Sequence, residues 1–228
     1  MSLRNLVAGI PLFHGLPEGQ LEEVVDIVVD QLFGRGQAVF SEGEDATGFY
    51  VVISGMVKIF KLSPEGKEQI LHFAGPGESF GEVPMFAGGH FPAHAEAIEK
   101  SRIFFFPRPL FLDMIRKDPS LAMNMLAELS RHLRRFARLV EELSLKEVPG
   151  RLAAYLLYLS DRENGSGELE LNITKGQLAS LLGTIPETIS RILGKMSSQG
   201  LIQVQGRRIR IEDRQSLEDL AAGGKFAI

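Results

Sequence analysis

Three polar residues in one short segment, Glu187, Ser190 and Arg191, have side chains suited to reading base pairs in a DNA major groove. Arginine can donate two parallel hydrogen bonds to guanine O6 and N7, and glutamate can accept one from cytosine N4. Glu187 and Arg191 are four residues apart, so on a helix they lie one turn from each other and can hold each other in place. Ser190 can bond to a base or to a phosphate. These three residues are therefore predicted to make base contacts.

The same residues also permit a purely structural interpretation. Thr184 followed three residues later by Glu187 is the pattern of a capping box, in which Glu187 satisfies backbone N–H groups at the start of a helix. Arg191 could equally be an ordinary solvated side chain. Taken singly, each residue leaves both interpretations open. The surrounding segment favours DNA binding.

That segment runs from Thr174 to Leu201 and contains two helical patterns separated by a tight turn. In the first pattern, apolar residues recur at three- and four-residue spacing, which places them on one helical face. Thr174 precedes this pattern and can accept a hydrogen bond from a free N–H at the helix start. Gly183 follows it, where a left-handed backbone favours glycine. The apolar residues of the first helix are Leu178, Leu181 and Leu182.

The second helix is predicted to begin at Pro186, because the first turn of a helix does not need the N–H that proline lacks. Four apolar residues are expected to face inward, so Glu187, Ser190, Arg191 and Lys195 point outward together. The inward residues are Ile189, Ile192, Leu193 and Met196. This arrangement predicts a helix-turn-helix whose second helix fits a major groove.

A basic hairpin is predicted directly after the second helix, over residues 201–211. Apolar and polar residues alternate on both sides of a turn at Gln205-Gly206, which is typical of paired strands. Three arginines on a short exposed hairpin could be solubility charges, but beside a helix-turn-helix they favour a wing that contacts phosphates. The hairpin arginines are Arg207, Arg208 and Arg210. The predicted phosphate contacts are Thr174, Lys175, Thr188, Lys195, Arg207 and Arg208.

The distribution of charge agrees with a DNA-binding module at one end only. The whole chain of 228 residues has a formal net charge of −4. Residues 1–110 contain 14 acidic and 8 basic residues, whereas residues 174–211 contain one acidic residue and six basic ones. Only the second region is therefore expected to meet the phosphate backbone.

Composition excludes several classes of protein. The chain has no cysteine, which removes disulfides, thiolate nucleophiles and cysteine-bound iron–sulfur clusters. We find no nucleophile with a nearby base, no carboxylate pair and no His-x-His metal motif in the sequence, so an enzyme is not expected. The apolar runs are too short to span a bilayer and the first residues lack a signal-peptide pattern. We expect a cytoplasmic protein without membrane contact.

Residues 36–107 have the pattern of an all-β sandwich or roll. Short alternating or apolar runs, among them FYVVIS, MVKIFKL and RIFFF, are separated by turns that contain glycine. Residues before 34 are predicted to be mixed helix and loop, with one amphipathic helix after Pro17.

A long helix is predicted from Asp118-Pro119 to about Lys146. Its apolar residues are spaced alternately four and three apart over three heptads, which is the pattern of a two-stranded coiled coil. A helix packed on its own domain is the alternative. A parallel homodimer would present two reading helices about 34 Å apart to a two-fold symmetric site. The predicted dimer interface comprises Leu126, Leu129, Leu133, Phe136, Val140 and Leu143. A hinge is expected at residues 146–150, followed by a helix over 151–160.

The segment TKGQLASLLGTIPETISRILGKMSSQGLI resembles the DNA-binding motif of the CRP/FNR superfamily of bacterial transcription regulators. Glu187, Ser190 and Arg191 match the E-x-x-S-R pattern of its FNR-like branch. FYVVISGMVKIFKLSPEGKEQIL and PETISRI are similar to the Dnr and HcpR regulators of nitrosative stress and anaerobic nitrogen metabolism. The resemblance implies FNR-like inverted-repeat sites with TTGA half-sites, and RNA polymerase as a partner.

The resemblance also implies an α+β fold with three parts. Residues 1–112 would form an effector-sensing β jelly roll of the cyclic-nucleotide-binding type. Residues 113–146 would form the dimerisation helix, and residues 147–228 the winged helix-turn-helix domain.

In cyclic-AMP-binding members of this superfamily, an arginine–serine pair and backbone N–H groups hold the ligand phosphate. Gly81 and Glu82 match the Gly-Glu of the family, but the arginine–serine positions align with Pro92 and Ala93. Without the guanidinium, a phosphodiester would be buried without a counter-charge, so cyclic AMP is not expected to bind. Glu82 is expected to be structural rather than a ligand contact.

Haem is a further candidate effector, and it enters only through the resemblance to Dnr and HcpR. Imidazole is a common haem ligand. Among the five histidines, His14 and His132 are the candidates to test first. Two other functions are alternatives to an effector-controlled regulator: an enzyme using the roll pocket, and an effector-independent DNA-binding protein. The well-formed roll argues against the latter.

Overall fold

The computed structural model describes residues 2–162 and 167–224, which form two compact units divided between Arg135 and Phe136. The helices of the first unit are α1 (Leu3–Ala8), α2 (Glu18–Ile27), α3 (Val83–Ala87), α4 (Arg108–Lys117) and α5 (Ser120–Leu145), the last of which contains the division, and a 3-10 turn covers Pro11–Phe13. Its strands are β1 (Val29–Phe33), β2 (Ala38–Phe40), β3 (Gly48–Ser54), β4 (Val57–Leu62), β5 (Glu68–Ala74), β6 (Ser79–Phe80), β7 (His94–Ala97) and β8 (Ser101–Pro107).

The strands form two antiparallel sheets, with orders β1-β8-β3-β6 and β2-β7-β4-β5. Aromatic rings pack between them: Phe40 stacks on Phe91 with ring centroids 3.8 Å apart, and Phe80 lies 6.0 Å from Phe40. A second core, beneath α4 and α5, is built around Phe49 and Phe106. The predicted β roll is thus confirmed.

The prediction of mixed helix and loop before residue 34 is wrong at Val29–Phe33, which form strand β1. Its residues Val29 and Leu32 are exposed, so the strand lacks the alternation of buried and exposed residues that marks a strand in a sequence. Its pairing with β8, from Val29↔Phe105 to Phe33↔Ser101, supplies the order that the local pattern does not.

The long helix α5 begins at Ser120, in agreement with the predicted start at Asp118-Pro119. Residues 113–117, which the three-part division placed in the dimerisation helix, belong to α4. Asp118 separates the helices with an extended backbone (φ −134°, ψ 101°), because a residue before proline disfavours the helical conformation.

The second unit contains α6 (Val148–Arg162), β9 (Glu168–Glu170), α7 (Lys175–Leu181), α8 (Pro186–Ser198), β10 (Ile202–Gln205), β11 (Arg208–Ile211) and α9 (Arg214–Ala221). The strands form one sheet in the order β10-β11-β9. The sequence analysis did not include β9 or α9.

The hinge predicted at residues 146–150 is wrong in extent, because α6 already begins at Val148. Pro149 is tolerated near the start of a helix, where no N–H is required. Gly150 has a packing reason: a Cβ there would lie 3.1 Å from the carbonyl oxygen of Leu220, so glycine lets α6 approach α9.

The turn of the wing also lies one residue later than predicted. Gln205 pairs with Arg208, so Gly206 and Arg207 form the two-residue loop, and Gly206 adopts φ +64°. Because a positive φ favours glycine, the position of Gly206 determines where the turn forms.

Candidate nucleic-acid interface and effector region

Helix α7 begins and ends as the sequence predicted. Thr174 Oγ1 accepts a hydrogen bond from the N–H of Gln177 (3.1 Å), and the Gln177 side chain accepts one from the N–H of Thr174 (2.8 Å), which forms a capping box. At the other end Gly183 has φ +67° and the N–H of Thr184 donates to the carbonyl of Ala179 (2.9 Å). This bond fixes the turn into α8.

Helix α8 buries one face and exposes the other. Pro186 occupies its first turn, and the four apolar residues predicted to face inward are all at most 3 % exposed: Ile189, Ile192, Leu193 and Met196. Glu187, Ser190 and Arg191 are exposed on the opposite side. The structure therefore brings the three predicted base-contacting residues onto one solvent-facing surface, which we call the reading face.

The capping alternative for Glu187 is wrong. The residue that caps α8 is Ile185, not Thr184, and no side-chain capping bond is formed there. Since Pro186 lacks an N–H and the N–H of Thr184 already donates to Ala179, the local geometry does not use Glu187 as a cap. Its carboxylate remains on the reading face.

The expected pairing of Glu187 with Arg191 is also absent from the ion pairs of residues 2–162 and 167–224. Exposed pairs gain little, because solvent screens the attraction and two long side chains lose conformational freedom. Each side chain is instead positioned by the packed face of α8 beneath it.

The side chain of Arg151 makes a contact that was not predicted from the sequence. This contact positions the end of α7, the first helix of the helix-turn-helix. Arg151 on α6 donates from Nη1 to the carbonyl of Leu182 (2.6 Å) and from Nε to the carbonyl of Lys146 (2.9 Å). Carbonyls at the end of a helix have no partner within it, so a guanidinium there satisfies them. Nothing in the local sequence connects Arg151 with Leu182, 31 residues away.

The predicted phosphate contacts differ in accessibility. Thr174 and Lys175 at the start of α7, and Arg207 and Arg208 on the wing, are exposed. Thr188 and Lys195 on α8 are half-buried. The Thr174 hydroxyl accepts the capping bond described above.

Acidic residues accompany the arginines on the wing sheet. Arg208 lies opposite Glu170 and Arg210 opposite Glu168, and Arg210 donates from Nε to Glu212 (2.7 Å). Cross-strand neighbours of opposite charge attract each other, which reduces the positive field of this face. Arg207 stands apart in the turn, beyond the last paired residues.

In the first unit, Gly81 and Glu82 lie between β6 and the short helix α3. Gly81 has φ +75°, and a Cβ there would come within 3.1 Å of the rings of Phe40 and Phe91. Glu82 is only 3 % exposed, and its carboxylate forms a hydrogen bond with Nδ1 of His132, which is 7 % exposed. Nε2 of the same ring lies 3.2 Å from Glu128.

The protonation of His132 follows from these contacts. Burial lowers its pKa, but the hydrogen bonds and charges of Glu128 and Glu82 outweigh burial and raise the pKa from 6.5 to about 9. The hydrogen bond from His132 lowers the pKa of Glu128 to about 2, against the effect of burial and with help from Arg131. At neutral pH the cluster therefore consists of an imidazolium between two carboxylates. The expectation that Glu82 is structural agrees with these contacts.

Both units of the chain, and the chain as a whole, are similar to known proteins. Residues 31–118 match the model of the cyclic nucleotide-binding domain, and residues 150–220 match that of the Crp-like helix-turn-helix domain. The chain is 33% identical to the cyclic AMP receptor protein of Thermus thermophilus over 94% of its length and 98% of that protein. The chain belongs to the CRP/FNR family of transcription regulators.

Other CRP/FNR proteins are similar to nearly the same extent. The fumarate and nitrate reduction regulatory protein of Escherichia coli is 31% identical, with 90% of this chain and 84% of that protein covered. The structure of FixK2 from Bradyrhizobium japonicum superposes with a TM-score of 0.76 at 26% identity, covering 89% of this chain and all of that one. These relatives include regulators named for cyclic AMP and regulators that are not, so they leave the effector open.

At the two positions aligned with the phosphate-binding pair of cyclic-AMP-binding CRP/FNR members, Pro92 is exposed and Ala93 is buried in the roll core. Neither side chain can donate a hydrogen bond. Lys61 Nζ donates to the backbone carbonyl of Pro92 (3.0 Å) and also pairs with Glu42.

The two histidines considered as haem ligands are in contrasting positions. Both ring nitrogens of His132 face carboxylates. The ring could therefore act as an axial haem ligand only after one nitrogen had separated from Glu82 or Glu128. His14 is exposed on a turn, and its carbonyl accepts from Asn124 (3.3 Å). Within the described residues there is also no group of three or more His, Asp or Glu side chains arranged to hold a metal ion.

The predicted coiled-coil seam divides into two rows on α5. Leu126, Leu133 and Val140 are 54%, 70% and 64% exposed, respectively. Leu129 packs against the core of the first unit, while Phe136 and Leu143 are half-buried. We call the exposed row the α5 seam. Among residues 2–162 and 167–224, no helix is both long and apolar enough to cross a membrane.

Proposed function

We propose that this CRP/FNR protein acts as a homodimer that binds inverted-repeat DNA with FNR-like TTGA half-sites, and that a small effector other than cyclic AMP controls it. The observation that supports sequence-specific binding is the reading face of α8. Glu187, Ser190 and Arg191 are exposed together, while the other side of the helix is fully packed. Arginine and glutamate there can address the G·C pair of a half-site from opposite strands.

The α5 seam supports the homodimer. Three large apolar side chains at seven-residue spacing are exposed along one helix, and such a row is typical of a coiled-coil contact. A second copy of the chain has the same row, so a two-fold contact would cover both. The dimer would present two reading faces to an inverted repeat.

The chemistry of the roll supports an effector other than cyclic AMP. The side chains of Pro92 and Ala93 offer no donor to a phosphate, and a phosphodiester buried there would lack a guanidinium to balance its charge. Calorimetric titration with cyclic AMP should therefore show no binding. Micromolar affinity would contradict this part of the proposal.

Haem and nitric oxide remain predictions from the resemblance to Dnr and HcpR. They can be tested by absorbance of the purified protein with added haem. Because His132 is engaged by two carboxylates, we expect His14→Ala to change the absorbance spectrum of bound haem more than a substitution of His132 does. RNA polymerase is the partner that transcription control by this family implies.

Selection of binding sites from a random duplex library tests the central proposal. We expect enrichment of an inverted repeat whose half-sites lie one helical turn apart. Enrichment of a single, non-repeated site, or of no sequence at all, would overturn it.

The dimer has its own test. Replacing Leu126 and Leu133, both exposed in the α5 seam, by glutamate would bury unpaired charge in the interface, so sedimentation should show a monomer. Arg134→Glu, on the same helix but off the seam, is the control and should remain a dimer. A stable dimer in the double variant would mean that the α5 seam is not the interface.

A further inference from the structure

The cluster around His132 joins two elements that are far apart in the sequence. Glu82 immediately precedes α3, and His132 lies in the middle of α5, 50 residues later. The groups that face His132 come from several elements. They are His72 on β5, Glu82, and Glu128 and Arg131 on α5 itself; Arg135, one turn further on, pairs with Glu78 in the turn before β6 (3.3 Å).

The carboxylate of Glu82 is used in an unusual way. It occupies the capping position of α3, where an acidic side chain usually bonds to the free N–H groups of the helix, but no side-chain capping bond is formed. The side chain instead turns toward α5 and bonds to His132. The start of α3 is thus held by another helix rather than by its own cap.

Apart from Glu82, helix α3 is held mainly by the side chain of Met85, which is 1 % exposed in the core of the first unit. The helix has five residues, which is too short for a helix to be stable by itself, and Gly81 and Gly88 on either side adopt positive φ values of 75° and 71°. Val83 and Phe86 are largely exposed. Arg108 Nε also donates a hydrogen bond to the carbonyl of Met85 in α3 (2.7 Å).

On the other side, His132 sets the orientation of α5 against the roll. Leu129, three residues earlier, packs on the core, whereas the adjacent Leu133 is exposed in the α5 seam. Glu128 has a further donor in Arg131, so the charge on His132 matters most for Glu82, which is 3 % exposed and bonds to Nδ1. Loss of the imidazolium charge would leave the buried carboxylate of Glu82 beside a neutral ring, and a charge held out of water without a counter-charge is unfavourable.

We propose that Glu82, His132 and Glu128 form a proton-dependent tether that holds α3 against α5 and so determines which side of α5 faces the roll. When His132 is neutral or replaced, α3 detaches at its first residue while the rest of the roll stays folded. The seam residues of α5 are then no longer held in register by this contact. The role of the seam in a dimer rests on the proposed function, but the tether itself does not.

The pKa values support this assignment of charge. His132 is protonated at neutral pH because its pKa is raised to about 9. His72 is neutral, since burial, together with the charges of Arg135 and His132, lowers its pKa to about 3. The tether is therefore closed at neutral pH, and alkaline pH serves as the probe that opens it.

Hydrogen exchange of the full chain, expressed as protection factors that correct for intrinsic exchange, tests the tether. The informative amides are Met85 and Gly88, which donate to the carbonyls of Glu82 (2.9 Å) and Pro84 (2.8 Å). At pH 7, His132→Gln should lower their protection at least about tenfold, the change that one pKa unit represents. The matched control is His90→Gln, at an exposed histidine that pairs with Asp45, and it should match the wild type. Unchanged protection of α3 in His132→Gln would overturn the proposal.

Two further measurements cover the case in which His132→Gln fails to fold. Glu82→Gln keeps the shape of the side chain and should show the same loss in α3. The wild type, raised from pH 7 to pH 10, should lose protection in α3 at the midpoint at which the His132 NMR signal titrates. A loss shared equally by the core strands β3 and β8 would indicate general unfolding and overturn the tether. None of these measurements uses DNA, so failure of DNA binding leaves their result intact.

Discussion

Two glutamates at the beginnings of helices have opposite roles in this molecule. Glu187 is the second residue of α8 and Glu82 directly precedes α3, and neither caps its helix. Glu187 is exposed beside Arg191, whereas Glu82 is 3 % exposed and bonded to an imidazolium from a distant helix. The residue type and local position are nearly the same. Burial makes the difference.

An exposed carboxylate remains hydrated, so it adds little to the free energy cost of folding. It also stays available for a partner such as DNA. A buried carboxylate must be paired, because leaving water is expensive for a charge, and its pairing then constrains the elements that carry the partners. We therefore expect the reading face to affect DNA recognition with little effect on folding. We expect the proposed tether to affect the order of the roll instead.

The largest difference should appear in unfolding by denaturant. Glu82→Ala leaves His132 and Glu128 in a cluster that has lost one charge, and removing one partner of a buried pair costs about 3–5 kcal/mol. Glu187→Ala, at an exposed position without a capping bond, should change the free energy of unfolding by less than about 0.5 kcal/mol. Circular dichroism in guanidinium measures both. Equal effects would remove the distinction between the two glutamates.

Between pH 6.5 and about 9, the pH dependence of stability should come from the buried cluster and not from the reading face. Because the pKa of His132 is about 9 in the folded chain and 6.5 without these partners, its proton stabilises the folded state. The contribution is complete below pH 6.5 and is lost as the pH rises through about 9, by up to about 3 kcal/mol. Melting temperatures across this range should fall in the wild type. His132→Gln should show a flatter profile, and an identical slope would contradict the assignment.

On the reading face, the expected effects concern DNA rather than folding. Arg191→Ala should lose about 1–3 kcal/mol per half-site and relax discrimination at one base pair. Glu187→Ala should alter base preference while the melting temperature stays the same, since it does not cap α8. Competition binding against a site library, with circular dichroism alongside, measures both changes. Unchanged base preference in both variants would mean that this surface does not read bases.

The smallest effect is expected at the wing. Arg207 lies exposed in the turn, away from the acidic residues that accompany Arg208 and Arg210. If it contacts only phosphate, Arg207→Ala weakens binding to all sequences alike and reduces the salt slope by about 1 per protomer. Titrations at several salt concentrations check this. A change in sequence preference would assign Arg207 a base contact instead.

Elements whose signals lie within a few neighbouring residues are predictable from the amino-acid sequence. The caps, glycine and proline of residues 174–198 predicted α7 and α8, and the apolar spacing of α8 identified the residues that it buries. The heptad pattern predicted α5, and glycine turns between apolar runs predicted most strands of the roll. Each of these depends on residues within a few positions of one another, where helix and strand periodicity act directly.

Other features depend on contacts between residues that are distant in the sequence. Strand β1 is ordered by its pairing with β8, Gly150 is explained by α9 rather than by a hinge, and Arg151 supports the turn of the helix-turn-helix from 31 residues away. Excluding the capping role of Glu187 required the backbone at Ile185. Above all, Glu82 and His132 are 50 residues apart, and their protonation depends on burial and on each other. Such properties arise only when folding removes water and brings distant charges together.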